Sequence, residues 1–372
     1  MSYNLRILRT CAAVLTLLLA ACGSSSYDVF PGPHGRALQE LTADVILPAY
    51  RNLTIQADLL AKRAAALQAT PDAETFAATQ EAWRDARAAW KQTAAFGIGP
   101  AESLRTPSKI DFWPIRPDRI ESEIAGTAAL TPMYVDELGA NIKGFLALEY
   151  LLFDETVDSA EVLERLVLEP RRRDLIWALA VNLHDETVEL RDAWEPGAGN
   201  FAAELENAWS GSATFYGVKP AMDLLVNHMI FLSEEIADVE LLGPLGTRTG
   251  GQPRPDLIVT RRSDNAEADL LNQLDSLTVT YFGTGPYRTA DYSLSAVVAS
   301  RSQDVNGSIS AALRETQRAV STIPQPFEGA IVAAPEVVSR AQQRAKTLMR
   351  HLEIDFVSAL GSTLRFNPSD GD

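Results

Sequence analysis

Apolar residues recur at three- to four-residue intervals along most of the chain, and no apolar/polar alternation bounded by tight turns is long enough to predict a sheet. From Arg36 to Ala69 that spacing is kept by Leu38, Leu41, Val45, Leu53, Ala57, Leu60, Ala64 and Leu67, which predicts one long amphipathic helix kinked at Pro48. Thr70-Pro71 reads as N-cap and first position of a second helix. It runs to about Phe96, with Phe76, Trp83, Ala86 and Trp90 on one face and Arg84, Arg87 and Lys91 beside them. Pro100, Pro107, Pro114 and Pro117 preclude a long regular element between Gly97 and Thr131, and an irregular segment of that length is more often functional than idle. Thr131-Pro132 predicts the start of the helix that carries Lys143 to Asp154. A short helix around Ala160 to Glu169 and a long one from Arg171 to Trp194 follow.

Glu195 to Ser212, with Pro196-Gly197 and Gly199, interrupts the pattern and is the expected domain boundary. Four more long helical patterns come after it: about Thr214 to Leu242, Asn265 to Phe282, Asp291 to Ile323 and Pro335 to Leu360, with a Gly- and Pro-rich linker at Gly243 to Pro255. Two sets of roughly four helices predict an all-α protein of two up-and-down bundle domains, residues 36–199 and 200–372.

The N-terminus adds an address. Residues 1–21 read as a signal peptide, with Arg6 and Arg9 before an apolar run from Ala12 to Leu19 that is too short to span a bilayer. Leu19-Ala20-Ala21-Cys22 resembles a lipobox, whose cleavage leaves Cys22 as a lipidated first residue, and residues 22–35 then form a flexible tether. Gly23 rather than Asp after that Cys is the pattern of sorting to an outer membrane, facing the periplasm. Cys11 leaves with the signal and Cys22 is acylated, so no thiol remains for a disulfide, a nucleophile or a sulfur-ligated metal. Loss of Arg6 and Arg9 moves the formal charge from −16 to −18, which argues against nucleic acid as a partner.

Candidate chemistry centres on Lys143-Gly-Phe-Leu-Ala-Leu-Glu149-Tyr-Leu-Leu-Phe-Asp154, an apolar helix with one acid in its middle. Gly144, Leu146 and Glu149 share one side at helical spacing, with glycine leaving room for a close neighbour. A carboxylate buried there needs a partner: an Arg, a set of hydrogen-bond donors or a metal ion. Asp111 and Glu102, in the Pro-rich segment, are the acids that could join Glu149 around a hard cation such as iron or calcium, and Arg87 or Arg262 are the candidates for an ion pair instead. None of His34, His184, His228 and His351 forms a pair at metal-binding helical spacing, and the His184–Asp185 and His351–Asp355 neighbours read as surface pairs. The tryptophans fall mostly on apolar helix faces and read as core; Trp113, on the loop before the motif helix, is the cleft-lining candidate. No phosphate-binding glycine loop and no nucleophile elbow is present.

The Gly144 stretch resembles the Gly-x-His-x-x-Glu helix of the imelysin-like family, bacterial cell-envelope proteins also classed among metallopeptidases, with Leu146 at the position of the histidine. Val45-Ile-Leu-Pro-Ala-Tyr50, Asp111-Phe-Trp-Pro114 and the ending through Leu360-Gly361, Phe366-Asn367 and Asp370-Gly-Asp372 agree with the family in order, and Arg261-Arg262-Ser263 is similar to its Arg-Ser element. The resemblance implies two helical bundles meeting at a cleft, with Gly144, Leu146, Glu149, Asp111, Trp113, Arg262 and Ser263 around it, and a link to iron uptake. The first expectation is therefore a non-enzymatic binding module, anchored to the membrane by its lipid and working with iron-uptake or other envelope proteins. A metallopeptidase with Glu149 as metal ligand or base, and a docking protein of the envelope, are its rivals. Loss of the imidazole at Leu146 counts against the peptidase, because catalytic metals usually keep about three protein ligands.

Overall fold

The expected first helix is one helical path of mixed type: α1 (Pro33–Leu41) passes through a π-helical segment (Thr42–Ile46) into α2 (Leu47–Ala69). Pro48 lies in the first turn of α2. Proline lacks the N–H that an interior position donates and crowds the carbonyl four residues back, so the wider π turn ahead of it absorbs the misfit without ending the helix. Pro33 to Gly35, expected in the tether, form the first turn of α1. The computed structural model describes residues 31–283 and 291–365. The signal peptide, Cys22, the tether up to residue 30 and the Phe366-to-Asp372 ending lie outside the described residues.

Side chains and prolines set the later boundaries. α3 (Ala73–Lys91) is capped by Asp72, whose carboxylate accepts from the Thr75 N–H at 2.9 Å while Thr75 Oγ1 accepts from the Asp72 N–H at 3.2 Å. This reciprocal box displaces the expected Thr70 cap. The Pro-rich segment holds only short helices, among them α4 (Pro117–Ala125), most of them opening on a proline. Thr131-Pro132 starts a five-residue helix, not the motif helix. The motif helix is α5 (Gly144–Leu152), followed by α6 (Ser159–Leu168) and α7 (Pro170–Trp194).

Beyond the second break come α8 (Val218–Glu234), prolonged by a π segment (Glu235–Leu241), and α9 (Ala266–Phe282). The pattern read as one helix from Asp291 to Ile323 is two, α10 (Leu294–Arg301) and α11 (Gln303–Val320), because Ser302 turns extended and caps the second through Val305 N–H. α12 (Pro335–Arg350) runs into a third π segment, His351–Phe356. The fold is all-α, and no helix among the described residues is long and apolar enough to cross a membrane.

α2, α3, α5 and α7 pack on one another, as do α8, α9, α11 and α12 with their π extensions. In the first group the buried Trp83 indole donates to the Phe145 carbonyl at 3.0 Å, fixing α3 to α5, and the buried Tyr50 hydroxyl donates to the Phe96 carbonyl at 3.0 Å. The groups meet where α3 lies on α9 and where the turn Ala94–Phe96 packs on both α8 and α9, its Ala95 N–H donating to Ser276 Oγ at 2.9 Å. The described residues from Pro33 onward cluster as one compact unit.

Candidate binding site at Glu149

Gly144 opens α5 at a point where no other residue fits. Its φ is +77°, and a Cβ there would sit 2.3 Å from the Ile110 carbonyl oxygen, so a side chain would meet backbone strain and a hard clash together. That close approach holds Ile110, and with it Asp111, against the start of α5. Leu146 and Glu149 follow on the same helix, each 1% exposed.

Glu149 Oε1 accepts two hydrogen bonds from one residue, the Ser263 N–H at 3.0 Å and the Ser263 hydroxyl at 2.7 Å. Its Oε2 is buried without a partner. Removal from water pushes the carboxyl up to about 7, against the pull of the two Ser263 bonds and of the Arg87 and Arg262 charges. The expected ion pair with Arg87 or Arg262 is thus not what holds Glu149.

Arg87 is committed elsewhere. Fully buried, it donates from Nη1 to Asp111 at 2.5 Å and from Nε to Asp269 at 2.9 Å. Its Nη2 lies 2.9 Å from the same Asp269 oxygen in an ion-pair contact but makes no hydrogen bond. Trp90 Nε1 at 2.9 Å and Lys91 Nζ at 3.1 Å also reach Asp111, while the Thr260 hydroxyl at 3.0 Å and Asn265 Nδ2 at 2.9 Å reach Asp269. Burial alone would raise the Asp111 carboxyl, but the Arg87 and Lys91 charges outweigh it and hold Asp111 below the usual range. Arg262 lies over the Tyr150 ring, 5.4 Å from its centroid, and Arg261 grips Glu155 with two hydrogen bonds of 2.8 and 2.7 Å. Arg261, Arg262 and Ser263 therefore fasten in succession onto the stretch from Glu149 to Glu155.

Of the expected site residues, Glu149 and Ser263 touch directly, Arg262 lies over the neighbouring Tyr150, Gly144 sits against the Ile110 backbone next to Asp111, and Leu146 is buried on the same helix. Trp113 is 40% exposed on its loop, and Glu102 is exposed. Among the described residues no three His, Cys, Asp or Glu side chains are grouped to hold a metal ion. At Glu149 the set amounts to one unpartnered oxygen under two guanidinium charges, with Asp111 already saturated by cations. Hard cations take several oxygen ligands, so this set suits a bare iron or calcium ion poorly.

The imelysin family model, which carries a peptidase label, matches residues 46–353. The chain belongs to the imelysin family. It is 26% identical over 320 residues to "iron-regulated protein A" of Synechococcus elongatus, covering 86% of this chain and 82% of that one. Among solved structures it resembles a candidate iron-regulated protein A precursor from Parabacteroides distasonis, with a TM-score of 0.77, 20% identity and coverage of 89% of this chain and 96% of that one. An imelysin-like protein from Psychrobacter arcticum gives a TM-score of 0.73 at 17% identity, covering 90% and 97%. These likenesses share the all-α fold.

Within this imelysin fold the residues missed in the sequence lie on α9, where Asp269 binds Arg87. Asp269, Gln273, Ser276 and Thr280 form a stripe at spacings of four, three and four on α9, all buried. A polar stripe on a helix otherwise rich in leucine was the available signal, since buried polar groups demand partners.

Proposed function

We propose that this imelysin-family chain is a binding protein of the bacterial cell envelope, anchored through lipid on Cys22, that assists iron uptake without catalysis of its own. Its site in this reading is the crevice around Gly144, Leu146, Glu149, Asp111, Trp113, Arg262 and Ser263. The names of its relatives support the iron link. The observation that carries the site is the buried Glu149 Oε2, which has no hydrogen-bond partner while its sister oxygen is held by Ser263 and the charges of Arg87 and Arg262 act on the carboxyl. A buried acceptor without a partner costs about 1–3 kcal/mol, which a ligand supplying a donor would recover. Because the donor set serves a bare cation poorly, iron would arrive here within an anionic complex whose oxygens accept from the guanidinium groups.

Calorimetry on the chain from Gly23 onward, which keeps all of Pro33 to Asp372, tests this with ferric citrate and with Fe(III), Fe(II), Zn, Mn and Ca salts. The expected result is binding of ferric citrate that weakens about tenfold or more, about 1.4 kcal/mol, in Glu149→Ala and in Arg262→Ala. Bare ions bound by the native chain and lost in Glu149→Ala would instead make the carboxylate a metal ligand. Silence toward every titrant would remove iron from this crevice.

One observation favours a second reading, a peptidase. A carboxyl near pH 7 is poised as a general base, and the family carries that label. Leu146 in place of the motif imidazole opposes it. Hydrolysis of unstructured peptides that disappears in Glu149→Gln would reverse the order of the two readings.

A further inference from the structure

The π segment Glu235–Leu241 that prolongs α8 takes no part in the Glu149 crevice. In an α-helix, at 3.6 residues per turn, residues five apart face different sides, whereas i→i+5 bonding widens the turn and brings them nearer to one line. Here it turns Glu235 and Glu240 toward one neighbour, Lys91. Glu240 lines a small space with Lys91, Thr260 and Asp269. Glu235 lines a larger cavity of about 240 Å³ on which Lys91 also borders, where the Ala94–Phe96 turn meets α8 and α9.

Most polar groups around that larger cavity are already satisfied. Asp111 is held by Arg87, Trp90 and Lys91. His228, kept neutral by burial, uses Nε2 either to donate to the Ala94 carbonyl at 2.9 Å or to accept from the Gly97 N–H at 3.1 Å, according to its tautomer. Thr93 donates to the Trp90 carbonyl at 2.7 Å. Two acceptors remain. Gln273, 2% exposed, gives its Nε2 to Glu240 at 3.0 Å, which leaves Oε1 buried with no partner. Glu235 has exposed surface at the rim, yet burial around its carboxyl raises it, and it makes no hydrogen bond or ion pair among the described residues. Trp90 and Phe231 add aromatic wall. Of the charges that line the space, Lys91 is offset by Asp111 at 3.1 Å, and Glu235, whose carboxyl burial raises against the pull of Lys91, adds a further acidic group.

Unsatisfied acceptors, a surplus carboxylate and aromatic faces are the complement of an organic cation. We propose that this cavity is a second ligand site, taking a small molecule that carries a protonated primary amine. The ammonium donates to Gln273 Oε1 and to Glu235, and the apolar body lies against Trp90 and Phe231. Asp111 is the one residue common to this cavity and the Glu149 crevice, and the inference does not depend on iron.

The test uses n-butylamine, with butyrate and 1-butanol as probes of the same skeleton and different charge, titrated at pH 7 into the chain from Gly23 onward and followed by calorimetry and ligand-observed NMR. Butylammonium is expected to bind with a dissociation constant of about 1 mM, in keeping with its few atoms, and the other two about tenfold more weakly. Glu235→Gln is expected to weaken butylammonium about tenfold with the fold retained in thermal melting, and Gln273→Met to weaken it similarly. Preference for butyrate, equal binding of the three probes, no binding, or indifference to Glu235→Gln would each overturn the assignment. Should Gln273→Met fail to fold, Glu235→Gln decides alone.

Discussion

Asp111, part-buried, and Glu149, buried, both lie within the influence of Arg87, yet they are pushed in opposite directions. Asp111 faces two cations and an indole donor and is held in its charged form, whereas Glu149 has one serine on one oxygen, nothing on the other, and a carboxyl raised to about 7. Burial sets the cost of ionisation; whether the charge survives depends on what is placed within hydrogen-bonding distance. The molecule keeps a saturated network and an unsatisfied acid side by side, and the second is the better candidate for meeting something from outside.

The largest test of that contrast is Arg87→Ala. It leaves Asp111 and Asp269 buried without their shared cation, and denaturant unfolding should show a loss of about 4 kcal/mol. Gly144→Ala attacks the geometry that sets Asp111 in place, and the positive φ together with the Ile110 clash should cost about 3 kcal/mol by the same measurement. The two acids also predict opposite pH slopes. Glu149 has a raised native value, so the stability it contributes is present below its ordinary 4.5 and lost as pH rises to about 7. That loss amounts to about 3 kcal/mol, and unfolding free energies measured from pH 4 to 8 should lack it in Glu149→Gln. Asp111 behaves inversely: its contribution is present above its ordinary 3.8 and lost on acidification below it. The smallest effect is expected from Ser263→Ala, about 1 kcal/mol, with the Glu149 titration followed by NMR moving further up as one of its two donors disappears.

Helix content was readable because the apolar spacing of α2, α3, α7, α9 and α12 follows from burying one face of each. Joins and irregular turns were less so. Ser302 splits an apparently continuous pattern with one side-chain cap, and the π segments leave no periodic mark over five to seven residues. Around the site, the Gly144–Glu149 helix and the Arg262-Ser263 element were visible as local strings. The Arg87–Asp269 pair joins residues 182 apart, a closure that spacing along the chain cannot encode. Ser263 rather than arginine on Glu149 has the same origin: Arg87 was consumed by an acid from the far side of the fold.

The succession Arg261, Arg262, Ser263 on Glu155, Tyr150 and Glu149 acts as a fastener whose release is coupled to a proton. While fastened, Glu149 holds its proton up to about pH 7; once the segment lifts and water enters, the carboxyl reverts toward 4.5 and gives that proton up. Any opening near neutrality would therefore release a fraction of a proton, and alkaline conditions would favour it. The Ser263 amide hydrogen, hidden against the carboxylate when fastened, is the clock on which those openings can be counted by exchange with deuterium.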